Sequence, residues 1–200
     1  MSGRLGILLS GRGSNFLAIR RNIQEGRLAA TIACVVSDNP AAPGLEAARQ
    51  FGLPAYFVDP SGRKRREYEA EIIEILETQA VDLVCLAGYM RLLSPGFVQR
   101  FPWRILNIHP ALLPAFPGLH AQKQALEYGV KFSGCTVHFV DQGMDTGPIV
   151  AQAVVEVRDD DTEETLADRI LHQEHKVYSE AIQRVLTGSY RVEFRRVKEI

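Results

Sequence analysis

Residues 5–16 read Leu5-Gly6-Ile7-Leu8-Leu9-Ser10-Gly11-Arg12-Gly13-Ser14-Asn15-Phe16, a short apolar run that breaks into a glycine-rich turn and then a helical pattern over 15–25. A run apolar at nearly every position suits a strand covered on both faces, as in a parallel sheet packed between helices. Similar runs recur at 31–36, 55–58 and 81–87. Helical patterns at 44–50 and 65–78 fall between them, the second with Ile72, Ile73 and Leu76 facing one way. Strand and helix thus alternate through the first half. The alternation predicts an α/β fold with a Rossmann-like, doubly wound, mainly parallel sheet.

The second half changes character. A short strand at 105–108 leads into the proline-rich stretch 110–117 and a helix at about 121–128. Runs at 135–140 and 149–157 are joined by Asp141-Gln142-Gly143-Met144-Asp145-Thr146-Gly147-Pro148, which predicts an antiparallel strand pair. A long helical pattern covers 162–186, with Thr162 placed to cap it and Glu163 and Glu164 in its first turn.

Composition narrows the partners. The chain has 200 residues, 23 basic against 24 acidic side chains and 46% hydrophobic residues, enough for a real core and wrong for disorder. A net charge of −1 supplies no field for nucleic acid or an anionic membrane, so neither is expected as a partner. No apolar stretch is long enough to span a bilayer, and residues 1–4 lead straight into the first strand with no signal peptide pattern. Cys34, Cys85 and Cys135 all sit inside apolar runs, which suits reduced, buried thiols in a cytoplasmic protein.

Three segments can carry chemistry. Ser10-Gly11-Arg12-Gly13-Ser14-Asn15 follows a strand and opens a helix, where backbone N–H groups and the helix dipole favour an anion such as phosphate. Phe16 stands where a dinucleotide fingerprint needs its third glycine, and the lysine of a nucleoside-triphosphate loop is missing. Glycines that merely make a tight turn would look the same. In Asn107-Ile108-His109-Pro110, residues two apart in a strand point to one side, so Asn107 and His109 converge at the strand's carboxyl end. An amide beside an imidazole suits an oxyanion and proton transfer, and equally a histidine that only caps a strand. Thr136 and His138 share one face of a strand, and Asp141 and Asp145 follow in the loop. An acid set against His109 would raise the histidine's pKa and hold its tautomer, whereas a solvated hairpin would leave both acids idle. Metal-ligand spacings are lacking: His172 and His175 have no obvious partners, and no metal is expected. No Gly-x-Ser-x-Gly elbow marks a serine hydrolase.

Taken together and in order, Ser10-Gly11-x-Gly13-Ser14-Asn15, Leu86-Ala87-Gly88-Tyr89-Met90-Arg91-Leu92-Leu93-Ser94, Asn107-Ile108-His109-Pro110-Ala111-Leu112-Leu113-Pro114, Thr136-Val137-His138-Phe139-Val140 and Asp145-x-Gly147 resemble the folate-dependent glycinamide ribonucleotide formyltransferase family. The resemblance covers nearly the whole chain. It implies a single formyltransferase domain over 1–200, with a phosphate-binding half at about 1–100 and a catalytic and folate-binding half at about 101–200. It implies 10-formyltetrahydrofolate as co-substrate, small-molecule substrates only, and a monomer or homodimer. Asn107, His109 and Asp145 would be catalytic, with Thr136 and His138 supporting. Gly13, Ser14 and Asn15 would hold the ribonucleotide's 5′-phosphate and Glu174 its ribose. Met90, Arg91, Leu92, Leu93, Asn107, Val140 and Asp145 would meet the folate, with Leu86, Phe97, Val98 and Ile105 as apolar walls. Arg65, from the cluster Arg63-Lys64-Arg65-Arg66, would join Arg91 at the glutamate tail, although its neighbours lie close enough to exchange the role. Three positions depart from the family's common residues: Tyr89 for Phe, Ala111 for Ser, and Leu171 for a polar residue.

Relatives with the same catalytic trio are separated by size. Methionyl-tRNA formyltransferase has a further tRNA-binding domain and formyltetrahydrofolate deformylase a regulatory one, and the length of this chain leads us to expect neither domain, which leaves a hydrolase without the regulatory domain as the alternative within the group. Outside the group, a dinucleotide oxidoreductase would use Asp38 for a ribose but leave Asn107, His109 and Asp145 unexplained. An inactive nucleotide-binding module would require those three to lie apart.

Overall fold

The computed structural model describes residues 2–188 and 190–200. The chain divides into two compact units, the first ending at Leu106 and the second running Asn107–Ile200.

The first unit alternates as its hydrophobic pattern requires. Strand β1 (Gly3–Leu9) leads to helix α1 (Ser14–Gln24), β2 (Ala30–Ser37), α2 (Pro43–Gln50), β3 (Ala55–Phe57), α3 (Arg65–Thr78), β4 (Leu83–Leu86) and α4 (Pro95–Arg100). The strands lie in the order β3-β2-β1-β4 and pair in parallel. Leu5, Ile7, Leu8 and Leu9 of β1 are fully buried, with Val35 and Val36 of β2 beside them, as strands covered on both faces should be. Helix α4 has only six residues and too little periodicity to show in the sequence. Its signals are local: Ser94 caps it by accepting from the Phe97 N–H, and Pro95 occupies its first turn. Glu69 of α3, itself buried, fixes that cap by accepting from the Ser94 N–H at 2.8 Å and from its hydroxyl.

Strand β5 (Ile105–His109) carries the chain into the second unit, followed by α5 (Ala121–Tyr128), β6 (Phe132–Phe139), β7 (Ile149–Glu156), α6 (Glu163–Thr187), β8 (Tyr190–Glu193) and β9 (Arg196–Glu199). The expected antiparallel pair is β6 and β7, and β9 then pairs in parallel with β7 and antiparallel with β8. Thr162 caps α6 through the Thr165 N–H, as its position predicted. The register of β6 against β7 shifts between Val137 and His138, leaving Val150 as an extra residue on β7. A bulge of this kind re-aims the next side chain, here His138, and Arg184 satisfies the carbonyl of Val150 at 3.0 Å. The three cysteines are buried and unbridged. Among the described residues no helix is long and apolar enough to cross a membrane.

Candidate active site

In the first unit, Gly13 sits at the N-cap of α1 with φ 73°, a left-handed conformation that favours glycine. A side-chain carbon there would come within 2.9 Å of the Gly44 Cα, so α2 can approach the turn only because both residues lack one. The Gly44 N–H donates to the Gly11 carbonyl at 3.1 Å and holds that contact. No side chain caps α1 and no acid lies in its first turn, an arrangement whose N-terminal field favours an anion. Ser14 is half-buried and Asn15 buried.

Ser10 ties this turn to the residues after β4. Its N–H donates to the Gly88 carbonyl at 3.0 Å, its hydroxyl accepts from the Met90 N–H at 2.9 Å, and its carbonyl accepts from the Asn39 amide at 3.1 Å. The 88–93 segment carries Met90 and Leu92 exposed and Leu93 half-buried. Arg91 donates from Nε to Asp38 Oδ2 at 2.7 Å. That pairing occupies the acid a dinucleotide enzyme would turn to a ribose. Leu86, Phe97 and Ile105 are buried and Val98 half-buried, so the first three serve as core before they can serve as ligand walls. In the basic cluster, Arg63 is taken by Glu71 at 2.8 Å and by the carbonyls of Asp59 and Glu67. Arg65 is exposed and makes no ion pair among the described residues.

In the second unit, Asn107 and His109 project from β5 two residues apart, as the strand period demands. His109 is buried, and its Nε2–H donates to the Phe116 carbonyl at 2.8 Å. That bond leaves Nδ1 facing Asp145 Oδ2 at 3.4 Å, beyond hydrogen-bond length. His138 is fixed in the opposite tautomer. Its Nδ1–H donates to the Phe139 carbonyl at 2.9 Å, so Nε2 accepts from Asn107 Nδ2 at 3.2 Å. The second hydrogen of that amide has no partner among the described residues. Asp145 Oδ1 lies 3.6 Å from His138 Nε2, and Oδ2 accepts from the Gly118 N–H at 2.8 Å.

Asp145 holds φ 55°, uncommon for a side-chain-bearing residue, and its neighbours enforce it. Asp141 Oδ1 accepts from the Gly143 N–H at 3.0 Å and from the Thr146 hydroxyl at 2.7 Å, which folds the 141–146 loop back on itself. Asp141 therefore shapes the loop rather than lying idle in solvent. A side-chain carbon at Gly147 would fall 1.7 Å from the Phe139 carbonyl oxygen, so the chain can pass that oxygen only as glycine.

Asp145 raises the His109 pKa as expected, but the net shift runs the other way. Burial lowers the His109 pKa below 6.5 and outweighs Asp145 and the Phe116 hydrogen bond, while His138 lowers it further. His109 is consequently a neutral imidazole at pH 7. Spacing alone reveals the acid but not the burial of the imidazole. Burial raises Asp145, yet His138, the Gly118 N–H and His109 together leave its carboxyl below the usual 3.8.

Thr136 is fully buried, and its hydroxyl is a junction. It donates to the Ala111 carbonyl at 2.7 Å and accepts from the Leu113 N–H and Gln152 Nε2, each at 3.0 Å. Gln152 also donates to the Leu113 carbonyl at 3.0 Å. Gln152, the Phe116 carbonyl and the Gly118 N–H are contributors that sequence reasoning missed; the last two are main-chain groups with no side-chain signal. Val140 is half-buried just beyond β6. Glu174 is buried on α6, and after burial its charge is the main cause that pushes the Cys135 thiol up to about 12. Leu171, one turn earlier on α6, is half-buried and offers no polar contact. Among the described residues no group of three or more His, Cys, Asp or Glu side chains could hold a metal ion.

A family model described as formyl transferase matches residues 4–182. The chain belongs to the formyl transferase family. Over 98% of its length, this formyl transferase superposes with a TM-score of 0.96 and 52% identity on glycinamide ribonucleotide transformylase 1 from Symbiobacterium toebii, covering 93% of that chain. It is 45% identical over 184 residues to the phosphoribosylglycinamide formyltransferase of Bacillus subtilis (strain 168), covering 92% of this chain and 94% of that protein. It is also 45% identical over 190 residues to the trifunctional purine biosynthetic protein adenosine-3 of Drosophila melanogaster, of which it spans 14%. The formyl transferase has the mixed α/β fold expected, parallel in its first unit and with antiparallel pairs in its second.

Proposed function

We propose that this chain transfers the formyl group of 10-formyltetrahydrofolate to the glycine amine of glycinamide ribonucleotide, giving formylglycinamide ribonucleotide and tetrahydrofolate in purine biosynthesis. The observation that carries the reading is the grouping of Asn107, His138, Asp145 and a neutral His109 in one polar cluster.

The chemistry follows from that geometry. The amine attacks the formyl carbon, a C–N bond forms, and the carbonyl electron pair moves onto oxygen. The free hydrogen of Asn107 Nδ2 stabilises the oxyanion. The new ammonium gives its proton to His109 Nδ1, directly or through water, and the imidazolium is balanced by Asp145 at 3.4 Å. His109 then delivers that proton to the folate N10 as the C–N10 bond breaks. A histidine that began protonated could not take the first proton, so the burial that lowers its pKa favours the sequence of steps.

The binding roles belong to the same reading. Gly13, Ser14 and Asn15 hold the 5′-phosphate and Glu174 the ribose. Met90, Leu92, Leu93 and Val140 contact the folate, and Arg91 and Arg65 meet its glutamate tail. The substrates are small molecules, and the reading needs no nucleic acid, membrane or metal, nor an assembly beyond a homodimer. Three buried thiols suit a reducing cytoplasm. The test is tetrahydrofolate formation followed by absorbance, with and without glycinamide ribonucleotide. Formation only in its presence supports transfer; an equal rate in its absence, with release of formate, would replace transfer by hydrolysis.

A further inference from the structure

Asp38 stands just beyond β2, and its side chain is only 9% exposed, yet Arg91 is the one donor to its carboxylate among the described residues. Oδ2 takes the Arg91 Nε–H, while Oδ1 is buried without a hydrogen-bond partner. Burying a charge for a single arginine is a poor way to gain stability, because desolvation offsets most of the attraction. It is an effective way to aim that arginine. The Arg91 side chain stays 44% exposed, and Tyr68 flanks it with its ring 5.7 Å from the guanidinium carbon. Asp38 itself is held from both sides. Ser37 belongs to β2, and Asn39 donates from its amide to the Ser10 carbonyl and accepts from the Ala41 N–H.

We infer that Asp38 is a positioning residue, which fixes the guanidinium of Arg91 to receive the carboxylate of the folate tail. An arginine held through Nε keeps donors on its terminal nitrogens, and a planar fork already in place loses less freedom on binding a carboxylate. The inference rests on the reading that Arg91 meets that tail. It also opposes a simpler electrostatic expectation, in which Asp38 competes with the tail for Arg91 and its removal tightens binding.

The test is steady-state kinetics with two co-substrates, 10-formyltetrahydrofolate and 10-formyltetrahydropteroate, the second lacking the glutamate. Asp38→Ala is expected to raise KM for the glutamate-bearing co-substrate about five- to tenfold. Its kcat, its KM for the pteroate compound and its KM for the ribonucleotide should stay at wild-type values, the last also reporting an intact fold. Asp38→Asn, which still accepts from Nε, should recover most of the loss, and Asp38→Ala should add nothing in an Arg91→Ala background. A fall in KM, an equal rise with both co-substrates, or a rise in the ribonucleotide's KM would overturn the inference. Should Arg91→Ala fail to distinguish the two co-substrates, the assignment of Arg91 to the tail falls and the inference with it. Should Arg91→Ala distinguish them and Asp38→Ala not, only the role of Asp38 falls.

Discussion

The turn at 10–15 and the polar cluster around His109 are built from different materials. The turn offers main chain: an uncapped helix start, and two glycines packed so closely that a methyl group on either would meet the other's backbone. The cluster offers side chains, Asn107, His109, His138 and Asp145, whose orientation is set by carbonyls and N–H groups of neighbouring loops. A backbone site tolerates exchange of its side chains and fails when a Cβ is added. A side-chain site fails when its functional groups are removed, and again when the loops that aim them are loosened.

The sharpest break is expected in the cluster. Asn107→Ala or His109→Ala should lower turnover by about two to three powers of ten. Calorimetric titration of the ribonucleotide should show its affinity unchanged, because neither residue belongs to the turn. Thr136→Val tests the loop support. It leaves the Ala111 carbonyl and the Leu113 N–H without their buried partner, and urea unfolding should show a loss of about 1–3 kcal/mol. A smaller change is expected on the backbone side. Gly13→Ala forces φ 73° on a side-chain-bearing residue at about 1–2 kcal/mol and presses on Gly44. The KM for the ribonucleotide should rise roughly tenfold with kcat retained, whereas Ser14→Ala should have the lesser effect.

The least effect is the pH dependence. The native pKa of His109 lies below 6.5, so between that native value and 6.5 the unfolded chain binds more protons than the folded one. The stability linked to the neutral imidazole is complete above 6.5 and is lost as pH falls through that window. Unfolding titrations should show this slope in the wild type and not in His109→Gln. The acid limb of the kcat/KM profile should likewise fall below pH 6.5, and an inflection above it would mean that Asp145 outweighs burial.

The same contrast governs what could be read from residues alone. The glycine turn was legible because a strand-to-helix turn of this shape needs glycine, and need for a residue type is written in sequence. Asn107 and His109 were legible through the two-residue period of a strand, and the arginine of the 88–93 segment through its motif. The sign of the His109 shift was not, because spacing reveals a neighbouring acid and hides the burial that outweighs it. The Phe116 carbonyl and Gly118 N–H leave no trace in side-chain identity. Gln152 occupies an exposed position of β7, where a polar residue carries no signal of its own. Helix α4 was too short for periodicity, and β8 and β9 are four-residue strands at the end of the chain.

The chemistry of the cluster requires that the formyl carbon move to the ribonucleotide's amine. Its most direct test is the fate of an isotope-labelled formyl group on 10-formyltetrahydrofolate, followed by mass spectrometry in the presence of glycinamide ribonucleotide. Transfer puts the label on the glycine nitrogen of the ribonucleotide, and His109→Ala slows its appearance by about two to three powers of ten. Label recovered as free formate, with the ribonucleotide unmodified, would contradict it.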